Sequence, residues 1–230
     1  MSLPELQLKW IQLYDELGGN FESQVLAAPF VSMPEESSKG ASVRPILLVG
    51  KATAGHWDKG NFDSMKDQPL TERLKERSDR TLKHLKEIRG EDLNSSAFWR
   101  FWRSLGQISQ PVIWTNLAKI GVCRPEGDNR SKNPEGDFLT CQEELAQETL
   151  RAEMEEYKPA LVVLVTSTYA AQEIAHPVFG PKNIWRTPDD SIWWQERTQT
   201  QPPVLWVDHP ERKPNNAIDC WLEKARELIS

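Results

Sequence analysis

Three polar stretches of this sequence carry the residue types that could bind a small polar ligand. They are GKATAGHW at 50–57, TNLAKIGVCRP at 115–125 and DHPERKP at 208–214, and each follows an apolar run directly. A glycine-containing loop offers backbone N–H groups, an asparagine side chain both donates and accepts hydrogen bonds, and a histidine can donate one. These groups predict a ligand site if the fold brings the three stretches together.

Each stretch alone has an ordinary structural explanation. Gly50 and Gly55 suit the backbone of a tight turn. Asn116 can cap the loop after its strand, and His209 can be a loop histidine with all its hydrogen bonds made. The first stretch lacks the Gly-Lys-Ser/Thr ending of a Walker A loop and the glycine spacing of a dinucleotide fingerprint. The functional prediction therefore depends on the combination.

The elements that would position these residues alternate as strand and helix along the chain. Apolar runs predict four strands, at 45–50, 111–121, 160–167 and from 203 onward, and amphipathic patterns predict the helices between them. This order predicts the α/β class, with a three-layer α/β/α sandwich around a mainly parallel four-stranded central sheet. Ligands of such sheets bind outside the carboxyl ends of the strands, where the three polar stretches fall.

One domain of 230 residues accommodates this pattern, with two additions. Residues 1–44 predict an N-terminal helix, whose Ser2 and Glu5 have capping-box spacing, followed by a proline- and serine-rich loop. Residues 182–198 predict a small tryptophan-rich β-hairpin that turns at TPDD. This hairpin could cover one end of a pocket, bind a protein partner or bury a sheet edge.

Composition narrows the class of protein. The net charge of −6 argues against indiscriminate binding to nucleic acid, although a local basic groove would be compatible with it. No apolar run approaches the roughly 20 residues that span a bilayer. The first ten residues lack a signal-peptide pattern, and three cysteines suit a reducing compartment. We therefore expect a cytoplasmic protein that does not bind membranes.

Two clusters of charged or aromatic residues have simple helical explanations. The segment 73–89 carries seven basic and three acidic residues, which is typical of a solvated helix face. FWRFWRSL could stack on bases, but the spacing of Phe98, Trp99, Phe101 and Trp102 is more typical of helix core.

Residues 112–167 carry a series of short motifs in a fixed order. They are Thr115-Asn116 ending a strand, Cys123-Arg124-Pro125, Asn129-Arg130, Pro134-Glu135, Cys141 opening a long helix, and Lys158-Pro159 leading into ALVVLV. This block resembles the central block of the uracil-DNA glycosylase superfamily, most closely its iron–sulfur branch. VGKATAG then falls where the family has its first motif, and DHPERK where it has its His-Pro motif. The resemblance covers residues 45–229.

The resemblance implies excision of a deaminated base, such as uracil, that is flipped out of DNA. Asn116 would read the amide edge of the base, and His209 would donate a hydrogen bond to the carbonyl oxygen that becomes negative. The first loop would supply backbone N–H groups, and His56 or Trp57 would stack on the base. The loop residues assigned to substrate binding are Gly50, Ala52, Thr53, Gly55, His56 and Trp57.

Basic residues near two of the motifs would hold the DNA backbone. The resemblance assigns this role to Arg124 and Arg130 in the central block, and to Arg212 and Lys213 after His209. The partner implied is therefore DNA with a flipped base, or else a free nucleobase or nucleotide.

The first motif departs from that of the catalytically active families of this superfamily. Those families place an Asp, Glu or Asn soon after the first glycine to position a water molecule. Here Lys51 follows Gly50, and Asp58 is the nearest carboxylate. Lys51 could act as a nucleophile if its pKa were depressed, contact a phosphate or point into solvent. Three functions stay open: a DNA glycosylase, a non-catalytic domain of the same fold that binds a nucleobase, a nucleic acid or a protein, and a hydrolase of small nucleosides.

The cysteines depart from the iron–sulfur branch as well. Cys123 and Cys141 are eighteen residues apart, near the spacing of two cluster ligands, but no cysteine precedes Cys123. Three cysteines cannot form a four-thiolate cluster. We expect no metal and no cofactor, with Cys123 and Cys141 as remnants or small buried residues and Cys220 in the core.

Overall fold

The chain forms an α/β fold around a mixed six-stranded sheet. A computed structural model describes residues 1–20, 25–33, 44–52, 59–90, 96–123, 131–181, 185–189, 192–211 and 213–230. The strands are β1 Val25–Leu26, β2 Ile46–Ala52, β3 Val112–Ala118, β4 Val122–Cys123, β5 Ser131–Lys132, β6 Leu161–Leu164, β7 Arg186–Asp189, β8 Ile192–Gln195 and β9 Val204–Val207. The helices are α1 Leu3–Asn20, α2 Lys59–Ser64, α3 Leu70–Gly90, α4 Ala97–Gly106, α5 Gly136–Thr140, α6 Glu143–Tyr157, α7 His176–Phe179 and α8 Asn215–Ile229, with a π-helical turn at Ala171–Ala175 before α7.

The main sheet has the strand order β3-β2-β6-β9-β8-β7. The first four strands pair in parallel, and β8 and β7 continue the sheet in antiparallel pairing. The α/β class predicted from the sequence is confirmed. The sheet has six strands rather than four because the predicted hairpin, β7 and β8, pairs along the edge of β9.

Both faces of the parallel strands are covered by helices, as continuous apolar strand sequences require. Leu47 and Val49 of β2 face a core that includes side chains of α1, α6 and α7, and we call this side the α1/α6 face. Ile46 and Leu48 face a core that includes side chains of α4 and α8, the α4/α8 face. All four side chains are fully buried, and each such burial contributes about 1.5–3 kcal/mol.

The N-terminal segment belongs to the core. In α1, Trp10 is fully buried, and its indole Nε1 donates a hydrogen bond to Thr149 Oγ1 of α6 at 2.8 Å. Residues 26–32 are buried without regular structure beyond β1, and the Phe30 N–H donates to the Lys119 carbonyl at 2.8 Å. The predicted N-terminal helix and residues 26–32 therefore pack as part of the core.

The Ser2–Glu5 contact predicted for the start of α1 is present. The carboxylate Oε2 of Glu5 accepts the Ser2 backbone N–H at 2.8 Å and the Ser2 hydroxyl at 2.9 Å. These hydrogen bonds, above all the one from the backbone N–H, lower the pKa of Glu5.

The tryptophans of the hairpin face inward. Trp185 and Trp193 are buried, and Trp194 is half-buried with the Lys224 Nζ 4.3 Å from its ring centroid. In the described ranges, Met1 is the one large apolar side chain that is exposed. The hairpin buries the edge of β9, and binding of a protein partner through it stays a prediction.

Two further surface features bear on the sequence predictions. Cys220 is exposed on α8, not buried in the core, because the buried side of this helix carries Trp221, Leu222 and Ala225. Cys141 is also exposed, so it is not a small core residue, and Cys123 is half-buried.

Of the helices that the structure describes, none is both long and apolar enough to cross a membrane.

A buried ion pair lies behind the carboxyl end of β3. The Lys119 Nζ is 2.7 Å from Glu153 Oε1 of α6, and both side chains are almost fully buried. The same oxygen accepts hydrogen bonds from Thr115 Oγ1 and Ser32 Oγ, each at 2.7 Å. Burial lowers the pKa of Lys119, and the Glu153 carboxylate opposes this shift. The pair thus joins β3, α6 and the N-terminal segment.

Removing one partner of this pair should strongly destabilise the fold. We expect Glu153→Ala to lower the free energy of unfolding by about 3–5 kcal/mol, because it leaves a buried ammonium group without its counter-charge. Urea denaturation followed by tryptophan fluorescence measures this change.

Glu156→Ala is the matched control, since Glu156 is an exposed residue of the same helix. It should change the free energy of unfolding by no more than about 0.5 kcal/mol. Equal losses in the two variants would contradict a structural role for the buried pair.

Candidate functional site

The candidate site lies at the carboxyl ends of the parallel strands. β2 is flanked by β3 on one side and β6 on the other, and the chain passes from β2 to β3 and then across β2 to β6. Such a reversal of strand order opens a crevice at the carboxyl ends of the two central strands. Gly50 and Lys51 lie at this end of β2, Asn116 near the end of β3, and His209 two residues after β9.

Gly50 is needed because Asn116 approaches it closely. The two residues are directly opposite each other in the β2–β3 register. A Cβ atom added to Gly50 would lie 2.4 Å from Asn116 Oδ1 and 3.4 Å from Trp114 Nε1. Gly50 therefore lies within a strand and makes room for a carboxamide, whereas the sequence alone suggested a tight turn.

The Asn116 carboxamide is oriented by Trp114. Its side chain is buried, and its Oδ1 accepts a hydrogen bond from Trp114 Nε1 at 3.2 Å. Because an indole nitrogen only donates, this contact fixes which end of the amide is oxygen. Among the described residues, Asn116 Nδ2 has no hydrogen-bond partner although it is buried. Such a donor costs about 1–3 kcal/mol and suits a ligand that brings an acceptor.

His209 presents one ring nitrogen as a donor. Its backbone N–H donates to Ser167 Oγ at 3.3 Å, and the Glu211 N–H donates to His209 Nδ1 at 3.3 Å. Since Nδ1 accepts, the proton of the neutral ring is on Nε2. Burial lowers the pKa of His209, and the nearby charge of Lys51 lowers it further, while Glu211 opposes them. The ring is therefore neutral at pH 7, with Nε2–H as a hydrogen-bond donor.

An aromatic side chain of α4 connects the two groups. The Phe98 ring is stacked with His209 at a centroid distance of 6.1 Å and an interplanar angle of 13°. The same ring lies 5.9 Å from Trp114, which holds Asn116. Asn116 and His209 are therefore both on the α4/α8 face of the sheet.

The aromatic side chains in the first turn of α4 are less buried than those further along the helix. Phe101 and Trp102 are buried in the core, as the sequence predicted. Phe98 and Trp99 pack against the same core but are only half-buried, and Phe98 also stacks with His209. Apolar spacing alone cannot distinguish the buried pair, Phe101 and Trp102, from the half-buried pair, Phe98 and Trp99. The one signal in the sequence was that Phe98 lies near the amino end of the helix.

Three other predicted site residues are described. Lys51 is half-buried and close enough to His209 to affect its pKa. Ala52 packs against the core of the α1/α6 face. The Lys213 Nζ is 2.6 Å from Asp208 Oδ2, so its charge is paired within the protein.

Eight predicted residues lie outside the described residues. They are Thr53, Gly55, His56, Trp57 and Asp58 of the first loop, Arg124 and Arg130 of the central block, and Arg212. Their assigned roles stay predictions.

The described groups suit a planar polar ligand. Asn116 offers an amide donor and acceptor, His209 a neutral N–H donor, Phe98 an aromatic ring and Lys51 a positive charge. In the described part of the chain, no three side chains of the metal-ligating types come together. The arrangement can bind a heterocycle that carries carbonyl and N–H groups, and it can stabilise negative charge on that ring.

No protein-family model matches this chain, and a search of curated proteins gave no significant match.

A methyl group at Gly50 should disturb the site. We expect Gly50→Ala to destabilise the protein by about 1–3 kcal/mol, because the new Cβ would overlap Asn116 Oδ1. Thermal unfolding of the variant measures the loss.

Gly18→Ala serves as the control, since a Cβ at this position in α1 would meet nothing within 4 Å. It should stabilise the protein by about 0.5–1 kcal/mol, as alanine favours a helix over glycine. Similar effects at both positions would argue against a close approach at Gly50.

The charge of Lys51 should be measurable through His209. Lys51→Met removes a positive neighbour, so the pKa of His209 should rise toward its ordinary value. A titration of the histidine Hε1 resonances by NMR measures this shift, with His209→Gln to assign the signal. Lys66→Met, at an exposed position on another segment, should leave the pKa of His209 unchanged. An unchanged pKa in the Lys51 variant would place Lys51 away from the site.

Proposed function

We propose that this chain is a uracil-DNA glycosylase-like protein that excises a deaminated base from DNA by hydrolysing its N-glycosidic bond. The observation that carries the proposal is the position of Asn116 and His209 on one face of the sheet, beside Phe98. The buried donor Asn116 Nδ2 and the neutral His209 ring are the two groups that base binding and base release require. The order of the sequence motifs supports the same function.

Asn116 would recognise the base through its amide edge. Uracil offers the acceptor O4 and the donor N3–H, and Asn116 offers Nδ2–H and Oδ1 to match them. Oδ1 already accepts from Trp114, and an amide oxygen has a second lone pair for N3–H. The Trp114 contact holds the amide in the orientation that this pairing needs.

His209 would stabilise the leaving group. When the bond between the sugar C1′ and the base nitrogen breaks, both electrons go to the base, and a carbonyl oxygen becomes negative. The Nε2–H of His209 would donate to this oxygen in a site already oriented for it. The positive charge of Lys51 beside His209 would also favour a base anion.

The base must leave the DNA duplex before these contacts can form. Stacking on an aromatic side chain offsets part of this cost, at about 1–3 kcal/mol per base. Phe98, beside His209, is the ring that we assign to this contact in addition to the predicted His56 or Trp57.

A second function is favoured by Lys51. Water attack on the sugar passes through a positively charged, oxocarbenium-like sugar, which a nearby ammonium group disfavours. Lys51 stands where related enzymes place a carboxylate or an asparagine, so a water-positioning role would fall to Asp58. A domain of the same fold that binds a nucleobase in nucleic acid without cleaving it is therefore the alternative.

Base release decides between these functions. Single-turnover assays use oligonucleotides that carry uracil, hypoxanthine or xanthine, with the native protein, Asn116→Ala and His209→Ala. If the protein is a glycosylase, His209→Ala should slow release by about 100- to 1,000-fold, the usual effect of losing one such donor. Asn215→Ala, at an exposed position on α8, should release base at the native rate.

The same oligonucleotides test the alternative. Binding that Asn116→Ala weakens, without base release by the native protein, would support the non-catalytic domain. A folded native protein that neither releases nor binds any of these bases would contradict both functions.

A further inference from the structure

A second cleft lies at the other end of the sheet and gathers four basic side chains. It has a volume of about 430 Å³. Arg44 precedes β2, Lys158 precedes β6, Arg197 follows β8 and Arg151 is on α6, so the cleft lies at the amino ends of the parallel strands. Glu155 is the one acidic residue among those that line it.

Backbone carbonyl groups hold the three arginines in place. The hydrogen bonds are Arg44 Nε to Lys158 O at 2.8 Å, Arg44 Nη2 to Pro159 O at 3.0 Å, Arg151 Nη2 to Pro177 O at 2.8 Å and Arg197 Nη2 to Ala160 O at 3.0 Å. A carbonyl group orients a guanidinium without neutralising it, and each arginine has five N–H donors. Every one of the three therefore keeps donors for a ligand.

The positive charge of the cleft is not balanced by carboxylates. By contrast, Arg73 forms a salt bridge with Asp15 at 2.7 Å. Within the residues that the structure describes, no salt bridge joins Arg44, Arg151, Lys158 or Arg197 to an acidic side chain. In a chain of net charge −6, a concave surface of this kind attracts anions.

We propose that this cleft binds a polyphosphate group, carried by a nucleotide or present as free polyphosphate. Planar guanidinium groups match the oxygen atoms of phosphate in pairs, and several of them converge here. The cleft also contains Thr198 and Gln201 as polar residues, and Met154 and Val178 as apolar surface for a base or sugar. Its volume is in the range of small-molecule sites, about 300–1,000 Å³, which favours a small anion over duplex DNA.

This binding is independent of the proposed base excision. The cleft is at the amino ends of the strands, whereas Asn116 and His209 are at the carboxyl ends. Substitutions in the cleft should therefore leave base release unchanged, and failure of one proposal does not affect the other.

Isothermal titration calorimetry with sodium tripolyphosphate and with ADP tests the cleft. Lys158→Gln is the informative variant, because the Lys158 side chain makes no hydrogen bond within the described ranges, and the arginine contacts use only its backbone carbonyl. We expect affinity to fall about tenfold in this variant, as for the loss of one charged hydrogen bond. Lys66→Gln, an exposed lysine elsewhere, should bind like the native protein, and thermal unfolding confirms that both variants are folded.

The two ligands also identify the source of the phosphate. Tighter binding of ADP would indicate a nucleotide, and equal binding would indicate the phosphate group alone; both results support the site. Three results would overturn the proposal: no binding of either ligand, equal affinities in the Lys158 and Lys66 variants, or binding of duplex DNA without either small anion.

Discussion

The close approach of Asn116 to Gly50 is the constraint on which the candidate site depends. It exists only in one register of β2 against β3, in which the two residues are directly opposite. A shift by one residue would turn Asn116 to the other face of the sheet. Burial on both faces prevents such a shift, because each strand would have to exchange its two sets of core contacts. A buried amide with an unused donor is thus held by the packing of the central strands.

At the carboxyl end of β3, the side chains on the two faces of the strand make different contacts. Thr115 and Asn116 are adjacent, so their side chains point to opposite faces. Thr115 donates to Glu153 in the buried ion-pair network, and Asn116 faces α4 and the aromatic side chains. The network anchors the strand to α6 and to the N-terminal segment. Under the proposed function, this rigid strand would hold the Asn116 amide in place for recognition of a base.

The parts of this structure that could be predicted from sequence are those set by local pattern. Apolar runs located the four parallel strands, and their alternation with helices gave the α/β class. The rule that ligands bind at carboxyl ends placed Gly50, Asn116 and His209 in one region. These predictions need only the periodicity of apolar residues and the order of the elements along the chain.

What the sequence did not predict depends on contacts between distant segments. The sequence left three roles open for the hairpin, and the pairing of β8 with β9 decides that it buries a sheet edge. The lack of space for a side chain at Gly50 depends on Asn116 of the neighbouring strand β3. The role of Phe98 beside His209 and the exposure of Cys220 depend on how α4 and α8 are rotated against the sheet. Helical spacing gives the relative positions of side chains, but not which partner each one meets.

The central claim is that Asn116 Nδ2 donates to a nucleobase, and NMR observation of its side-chain NH₂ group tests this most directly. The ¹⁵N-labelled protein is titrated with a uracil-containing oligonucleotide and with the same oligonucleotide carrying an abasic site. Our account predicts that the Asn116 NH₂ signals shift with the uracil strand and not with the abasic strand. Unchanged Asn116 signals, while backbone signals elsewhere show that the uracil strand is bound, would contradict it.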